Sequence, residues 1–76
     1  MNNTRRTRIS AALSKLSAIR CELESVRDEE QEAFDNMPES LQSGERGEKS
    51  QEAIDALENA VTDIENVESE LENASS

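Results

Sequence analysis

The sequence predicts an all-α protein: a two-helix antiparallel hairpin of the coiled-coil type that assembles into a homo-oligomeric helical bundle. Apolar residues recur at heptad spacing in both halves of the 76-residue chain, which is typical of packed helices. One phenylalanine, one proline and two glycines leave few signals for strands and turns. The regular apolar period also argues against disorder, which is the rival interpretation of a chain with a net charge of −10.

The first helix is predicted over residues 4–35. Thr4 is a candidate N-cap, and Pro38 disfavours a helical conformation at Met37, so the helix should end near Asp35 or Asn36. Leu13 and Phe34 widen one flank of its apolar seam. With Ile9 at heptad position a, the a positions hold Ile9, Leu16, Leu23, Glu30 and Met37, and the d positions hold Ala12, Ile19, Val26 and Ala33.

A hinge over residues 36–44 should contain one short helical turn after Pro38, with Leu41 tucked beneath it. The second helix is predicted over 45–73, followed by a frayed tail at 74–76, and the whole chain forms one helical-hairpin domain, 1–76. Ser43 is its predicted cap. Because Gly47 inside a helix costs ~1 kcal/mol relative to alanine, a start near Ser50 is the alternative. The predicted seam is Leu57, Ala60, Ile64, Val67, Leu71 and Ala74, with Ala53, Ile54 and Val61 beside it.

Charge is divided sharply along the chain. The first twenty residues carry five bases and no acid, whereas the remainder carries all eighteen acids and three bases. An antiparallel hairpin places the basic start of one helix beside the acidic end of the other, so the division can fix pairing and register. The alternative is a basic surface for an anionic partner. Nucleic acid is disfavoured, because the acidic segment would largely neutralise five bases.

Several classes of function are disfavoured by composition. The apolar runs are too short for a membrane span or a signal peptide. A lone cysteine, Cys21, forms no internal disulfide and is placed on the outer face, which suits a cytoplasmic protein. The absence of histidine removes most zinc sites and triads, so we predict no enzyme, no catalytic residue, no metal and no cofactor. Glu29, Glu30 and Glu32 are interpreted as a solvated face.

Glu30 differs from its neighbours because it occupies an a position. We expect it to face the seam and to set register or oligomeric state, paired with a basic residue of another chain. Self-association is expected more generally, since each helix carries an apolar stripe wider than one partner can cover.

The hinge is the least generic stretch and the candidate ligand site. Free N–H groups at a helix start bind phosphate, and Ser43, Arg46 and Lys49 stand where they can assist. The alternative is that the same residue types merely cap helices. The predicted ligand-binding set is Phe34 for stacking, Asn36, Ser40 and Gln42 for ribose or base edges, and Ser43, Arg46 and Lys49 for phosphate.

The stretch from Asp28 to about Leu57, most clearly Asp35 to Glu48, resembles a family of short helical proteins encoded by bacteriophages and prophages, mostly without assigned function. Several small oligomeric phage proteins of this general kind sequester nucleotide signals of bacterial immunity. The resemblance implies a counter-defence protein in the bacterial host cytoplasm that captures a cyclic dinucleotide or a cyclic ADP-ribose derivative without altering it. The alternative function is a small structural or adaptor bundle acting through protein–protein contacts.

Overall fold

The computed structural model describes all 76 residues and is entirely helical. Its elements are α1 (Asn3–Asp35), α2 (Glu39–Gln42) and α3 (Glu45–Ser75), and no strand is present. The molecule is elongated, with extents of 58 × 15 × 12 Å, because α1 and α3 pack against each other along their length. Cross-helix bonds join Arg20 to Glu68 and Glu30 to Ser50, so the two helices run antiparallel. The predicted all-α class and hairpin arrangement are confirmed.

Helix α1 begins earlier than the sequence suggested, and Thr4 is not its cap. Asn2 is the N-cap, and its side-chain oxygen accepts a hydrogen bond from the Arg5 amide at 2.8 Å. Asparagine and threonine are both capping residues, and the asparagine extends the helix by one further residue. At the other end the amide of Asn36 still bonds the Glu32 carbonyl, after which the chain leaves the helix before Pro38.

The hinge contains a single helical turn, α2, with Pro38 as its N-cap. Leu41 was expected beneath this turn, but its side chain is exposed. The inward position belongs to Gln42, whose Nε2 donates to the Phe34 carbonyl at 2.9 Å. The Phe34 carbonyl also accepts from the Met37 amide at 3.1 Å, so the Gln42 side chain supplies a second bond to this carbonyl at the end of α1. Gln42 therefore ties the turn to α1, and Leu41 faces outward.

Helix α3 begins at Glu45, not at the alternative start near Ser50. Its N-cap is Gly44, which has no side chain to accept a bond, while the hydroxyl of Ser43 donates instead to the Glu39 carbonyl at 3.1 Å. Ser43 is therefore not the cap of α3. The helix continues through Ser75, so Ala74 and Ser75 are helical rather than a frayed tail.

Gly47 explains how the hinge closes so tightly. It is buried in the first turns of α3, and a Cβ built there would lie 2.7 Å from the Cα of Gln42 and closer still to its carbonyl group. Only glycine permits this approach of two backbones. The helix-propensity cost noted from sequence is thus offset by a contact that no other residue can make.

The seam between α1 and α3 differs from the predicted one. The sequence placed the a and d rows inward, whereas the structure turns inward the a row and the e row, which lies four residues after each a. The centre of the seam is Ile54, 3 % exposed, and Val61, 6 % exposed, both in the e row of α3. The physical reason lies in side-chain size, because the d row of α3 offers mainly alanine at these levels. Gly47, also in the e row, turns the same side of α3 inward.

Candidate functional site

The residues of the predicted hinge site differ in their exposure and in their hydrogen bonds. Phe34 is half-buried, and Asn36 and Ser40 are exposed. Gln42 and Ser43 are each engaged in a bond to a backbone carbonyl, of Phe34 and Glu39 respectively. Polar groups that were assigned to a ligand therefore also hold the turn together, which is the capping role that the sequence left open.

The two basic residues of the predicted site have different surroundings. Lys49 Nζ lies 3.7 Å from Glu45 Oε1 in an exposed i,i+4 pair. Arg46 is exposed and belongs to no ion pair. Both follow Gly44 near the start of α3, whose first-turn amides lack helical acceptors until the Glu48 amide bonds the Gly44 carbonyl. Glu45 and Glu48 share this turn, so carboxylates compete there with any anion.

Beyond the hinge, the seam divides the hairpin into two unlike faces. Because α1 and α3 are antiparallel and both turn their a and e rows inward, their d rows lie on one side of the hairpin and their b rows on the other. We call these sides the d face and the b face. The d face consists of Ala12, Ile19, Val26, Ala33, Ala53, Ala60, Val67 and Ala74, with Arg5 and Arg46 in the same rows at its two ends. The b face consists of Ser17, Glu24, Gln31, Gln51, Glu58, Glu65 and Glu72.

The b face is polar and is organised by Arg20. The Nε of Arg20 donates to Glu68 at 2.7 Å across the seam, and its Nη1 donates to Glu24 at 2.8 Å. Its hydrogen bonds to Glu68 and then Glu24 raise the pKa of the Arg20 guanidinium above its usual range. A shallow groove lined only by polar residues lies beside it, between Arg20 and the acids Glu65 and Glu72. Arg20 is paired within the chain, whereas Glu58, Glu65 and Glu72 on this face form no ion pair.

The d face is apolar and only partly covered. Ile19 is 50 % exposed, and Val26 and Val67 are each 41 % exposed. At the end away from the hinge, an open groove of about 340 Å³ runs over this face between the two long helices. Its lining is mainly hydrophobic, with two arginines at the rim: Met1, Arg5, Arg8, Ile9, Ala12 and Leu71. These two arginines form no ion pair within the chain.

The expected match between the basic start of α1 and the acidic end of α3 is therefore realised by one residue only. Of the five bases in the first twenty residues, Arg20 alone forms an ion pair, with Glu68 of α3 and Glu24 of α1. Charge pairing inside the hairpin thus accounts for little of the charge division. The remaining bases are available to other contacts.

Glu30 faces the seam as predicted, but its partner within the chain is neutral. The buried hydroxyl of Ser50 donates to Glu30 Oε1 at 2.6 Å. Cys21 is exposed, as its heptad position indicated. No three acidic or cysteine side chains converge in a geometry that suits a metal ion.

Comparison of the chain with protein-family models, curated proteins and solved structures gave no match. The similarity of residues 28–57 to phage-encoded helical proteins therefore stays a prediction. No helix has the combination of length and apolar character that crossing a membrane requires.

The sequence predicted self-association through the a and d rows, but it did not identify the e row as part of the intramolecular seam. The signal was present: an e row with Leu13, Phe34, Ile54 and Val61 competes with the d row for the same partner. Three adjacent apolar rows on a helix span more than one partner can cover. One of the rows must then remain outside a two-helix seam.

Proposed function

We propose that this protein is a non-catalytic binding protein whose working form is a homo-oligomeric helical bundle acting through protein–protein contacts. The observation that carries the proposal is the exposed apolar d face, with Ile19, Val26 and Val67 each more than two-fifths exposed. Apolar residues aligned along one side of a molecule mark an interaction surface, unlike apolar residues scattered singly.

The sparse core of the isolated hairpin supports the same proposal. Only four residues are buried, and the buried hydrophobic ones are Ile54 and Val61. Helices in water are held mainly by tertiary packing of an apolar face rather than by intrinsic propensity. A second layer of helices over the d face would bury the half-exposed a row as well, including Leu16 and Leu23. Small helical proteins gain stability by such assembly.

Light scattering coupled to size-exclusion chromatography tests the proposal. The wild-type chain should elute with a mass at least twice 8.4 kDa. Ile19→Glu should lower the mass, because it places an unpaired carboxylate in the buried interface. Ala18→Glu is the matched control: it adds the same charge one residue away on the exposed outer side of α1, and it should leave the mass unchanged. A wild-type monomer at tens of micromolar would overturn the proposal.

A second candidate function is sequestration of a nucleotide immune signal by the oligomer, in the manner of a phage counter-defence protein. Arg46 favours it, being exposed and without an ion pair beside the open start of α3. The geometry supports it less than protein–protein contact, because neither groove reaches the hinge. Asn36, Ser40 and Lys49 supply further exposed polar groups near the hinge, and Phe34 is half-buried.

Calorimetry against cyclic dinucleotides and cyclic ADP-ribose isomers tests this candidate. Arg46→Ala should weaken binding by roughly 10- to 100-fold, since a hydrogen bond to a charged group contributes about 1.5–3 kcal/mol. Helicity and oligomer mass should not change. Arg6→Ala is the control, because Arg6 is exposed at the end of α1 away from the hinge and its side chain bonds only Asn3. Absence of heat with every ligand, or equal binding by the Arg46 variant, would leave protein–protein contact alone.

A further inference from the structure

A row of charged residues borders the d face, and the sign of its charge changes along each long helix. This row occupies heptad position g, just beyond the d row on each helix. Its members are Arg8, Lys15, Glu22 and Glu29 on α1, and Lys49, Ala56, Asp63 and Glu70 on α3. At the end away from the hinge α1 is therefore basic and α3 acidic, while at the hinge end the signs are exchanged. Of these charges, only Lys49 forms an ion pair within the chain.

The contacts of the seam fix which residues of α1 and α3 lie at the same height. Ser50 is bonded to Glu30, and Leu71 shares a groove with Ile9. In both pairs the residue numbers add to 80. Arg20 and Glu68, whose numbers add to 88, are joined through two long side chains, so the short Ser50 side chain marks the level of the two backbones more closely. By the same register Ile19 lies one residue from the level of Ala60, and Lys15 lies two residues, about 3 Å along the helix axis, from the level of Asp63.

We propose that the partner on the d face is a second copy, related by a two-fold axis parallel to the helices, so that α1 of each copy lies antiparallel on α3 of the other. The proposal rests on the proposed function and names the occupant and geometry of its surface. Both hairpins then point the same way, with their hinges at one end of a four-helix bundle.

Packing of the d rows supports this arrangement. Each layer sets a large side chain against a small one, which lets the layers interdigitate. The three central layers are Ile19 on Ala60 of the partner subunit, Val26 on Ala53 of the partner subunit, and Ala12 on Val67 of the partner subunit.

Charge complementarity independently supports a second copy of this chain as the partner on the d face. The g rows of facing helices meet at the rim of the interface, and every basic residue there meets an acid. The pairs are Arg8 with Glu70 of the partner subunit, Lys15 with Asp63 of the partner subunit, and Glu29 with Lys49 of the partner subunit. Such exposed pairs add little affinity, but they fix orientation and register. Glu22 meets the neutral Ala56, so no like charges face each other.

A two-fold axis across the helices is the competing arrangement, with α1 on α1 and α3 on α3. It would match charges equally well, since Arg8 would meet Glu29 of the partner subunit. Its packing is worse, because Ile19 would face its own copy and Ala60 would face its own copy. One layer would be overfilled and the next underfilled, and both faults destabilise a core.

The available area is sufficient for a stable dimer. The broad side of the hairpin measures 58 by 15 Å, which is comparable to the ~800 Å² that each partner buries in an interface of standard size. The interface is thus on the scale of a specific complex without any further element.

Chemical cross-linking of the full chain tests the arrangement. Ile19→Cys and Ala60→Cys are introduced separately, each with Cys21→Ser, and one of the two chains carries a tag of different mass. A bis-maleimide shorter than the diagonal of a four-helix bundle is added to each chain alone and to their mixture. We expect a cross-linked heterodimer from the mixture and little product from either chain alone.

The outcomes of this experiment distinguish a failure of the proposed two-fold arrangement from a failure of the proposed self-association. Cross-linked homodimers from each chain alone would establish the competing axis and overturn this proposal, while the proposed function stands. A dimeric mass by light scattering with no product from any sample would also overturn the arrangement. A monomeric mass for the unmodified protein would overturn both. Circular dichroism of each variant, expected to match the wild type, verifies that the exposed substitutions leave the hairpin folded.

Discussion

Gly47 is the residue whose identity the fold constrains most directly. In an exposed helix, replacing glycine with alanine stabilises by about 1 kcal/mol. Here the added methyl group would meet the backbone of Gln42, and backbone atoms cannot move aside as a flexible side chain can. The same substitution should therefore be unfavourable.

Gly47→Ala is expected to lower the free energy of unfolding by about 1–3 kcal/mol, the usual cost of overpacking. Urea denaturation followed by circular dichroism measures it. Gly44→Ser is the matched control, because the N-cap position has room for a Cβ, 3.4 Å from the Ser40 carbonyl oxygen, and serine adds a capping acceptor. The control should be neutral or stabilising, and a gain in stability from Gly47→Ala would contradict the account of the hinge.

The bond between Glu30 and Ser50 operates at the scale of the two long helices, since it joins their hinge ends. Ser50→Ala would leave the half-buried Glu30 carboxyl without its partner, so stability should fall by about 1–3 kcal/mol. The double variant Glu30→Leu with Ser50→Ala should recover much of the loss, because it replaces both polar partners with apolar groups. Thermal unfolding of the single and double variants provides the comparison, and equal losses in both would argue against this role.

Arg20 and Glu68 join the same two helices farther from the hinge. In a double-mutant cycle of Arg20→Gln and Glu68→Gln, each single change should lower the unfolding midpoint, and the double change should cost less than their sum. The coupling should shrink at high salt, because both groups are partly exposed. Additive effects would show that the pair contributes nothing to stability.

The pH dependence of this pair follows from the direction of its pKa shift. Folding raises the pKa of Arg20 above its ordinary value. Its contribution is therefore fully present below the unfolded pKa and is lost only when pH rises through the still higher folded pKa. Between neutral and mildly alkaline pH the contribution of Arg20 should stay constant.

At the scale of the whole molecule, folding and assembly should be linked. If the dimer is the stable form, raising the chain concentration 100-fold stabilises it by about 2.7 kcal/mol, which corresponds to a rise in Tm of roughly 5–10 °C. Calorimetry at several concentrations measures the shift. Ile19→Glu should abolish the dependence, and a concentration-independent Tm for the wild type would indicate a hairpin that is stable alone.

Much of the secondary structure was predictable from sequence for local reasons. The heptad period defines two long helices, and Pro38 stops the first of them because of a clash with the preceding residue. Heptad position also predicted that Cys21 lies on the outer face and that Glu30 faces the seam. The choice of caps was less certain, since Asn2 and Thr4 are both capping residue types, as are Ser43 and Gly44, and only the geometry of the chain selects one.

The tertiary structure decided which apolar row faces the partner helix. Each helix carries three neighbouring candidate rows, and a two-helix seam uses only two of them. Burial of Ile54 and Val61, together with the close approach at Gly47, selected the e row and left Ile19, Val26 and Val67 outside. A local period identifies the rows, whereas their choice depends on side-chain volumes on both helices at once. The sequence alone therefore determined that this protein is a helical hairpin, and the packing of its helices determined which surface it presents to a partner.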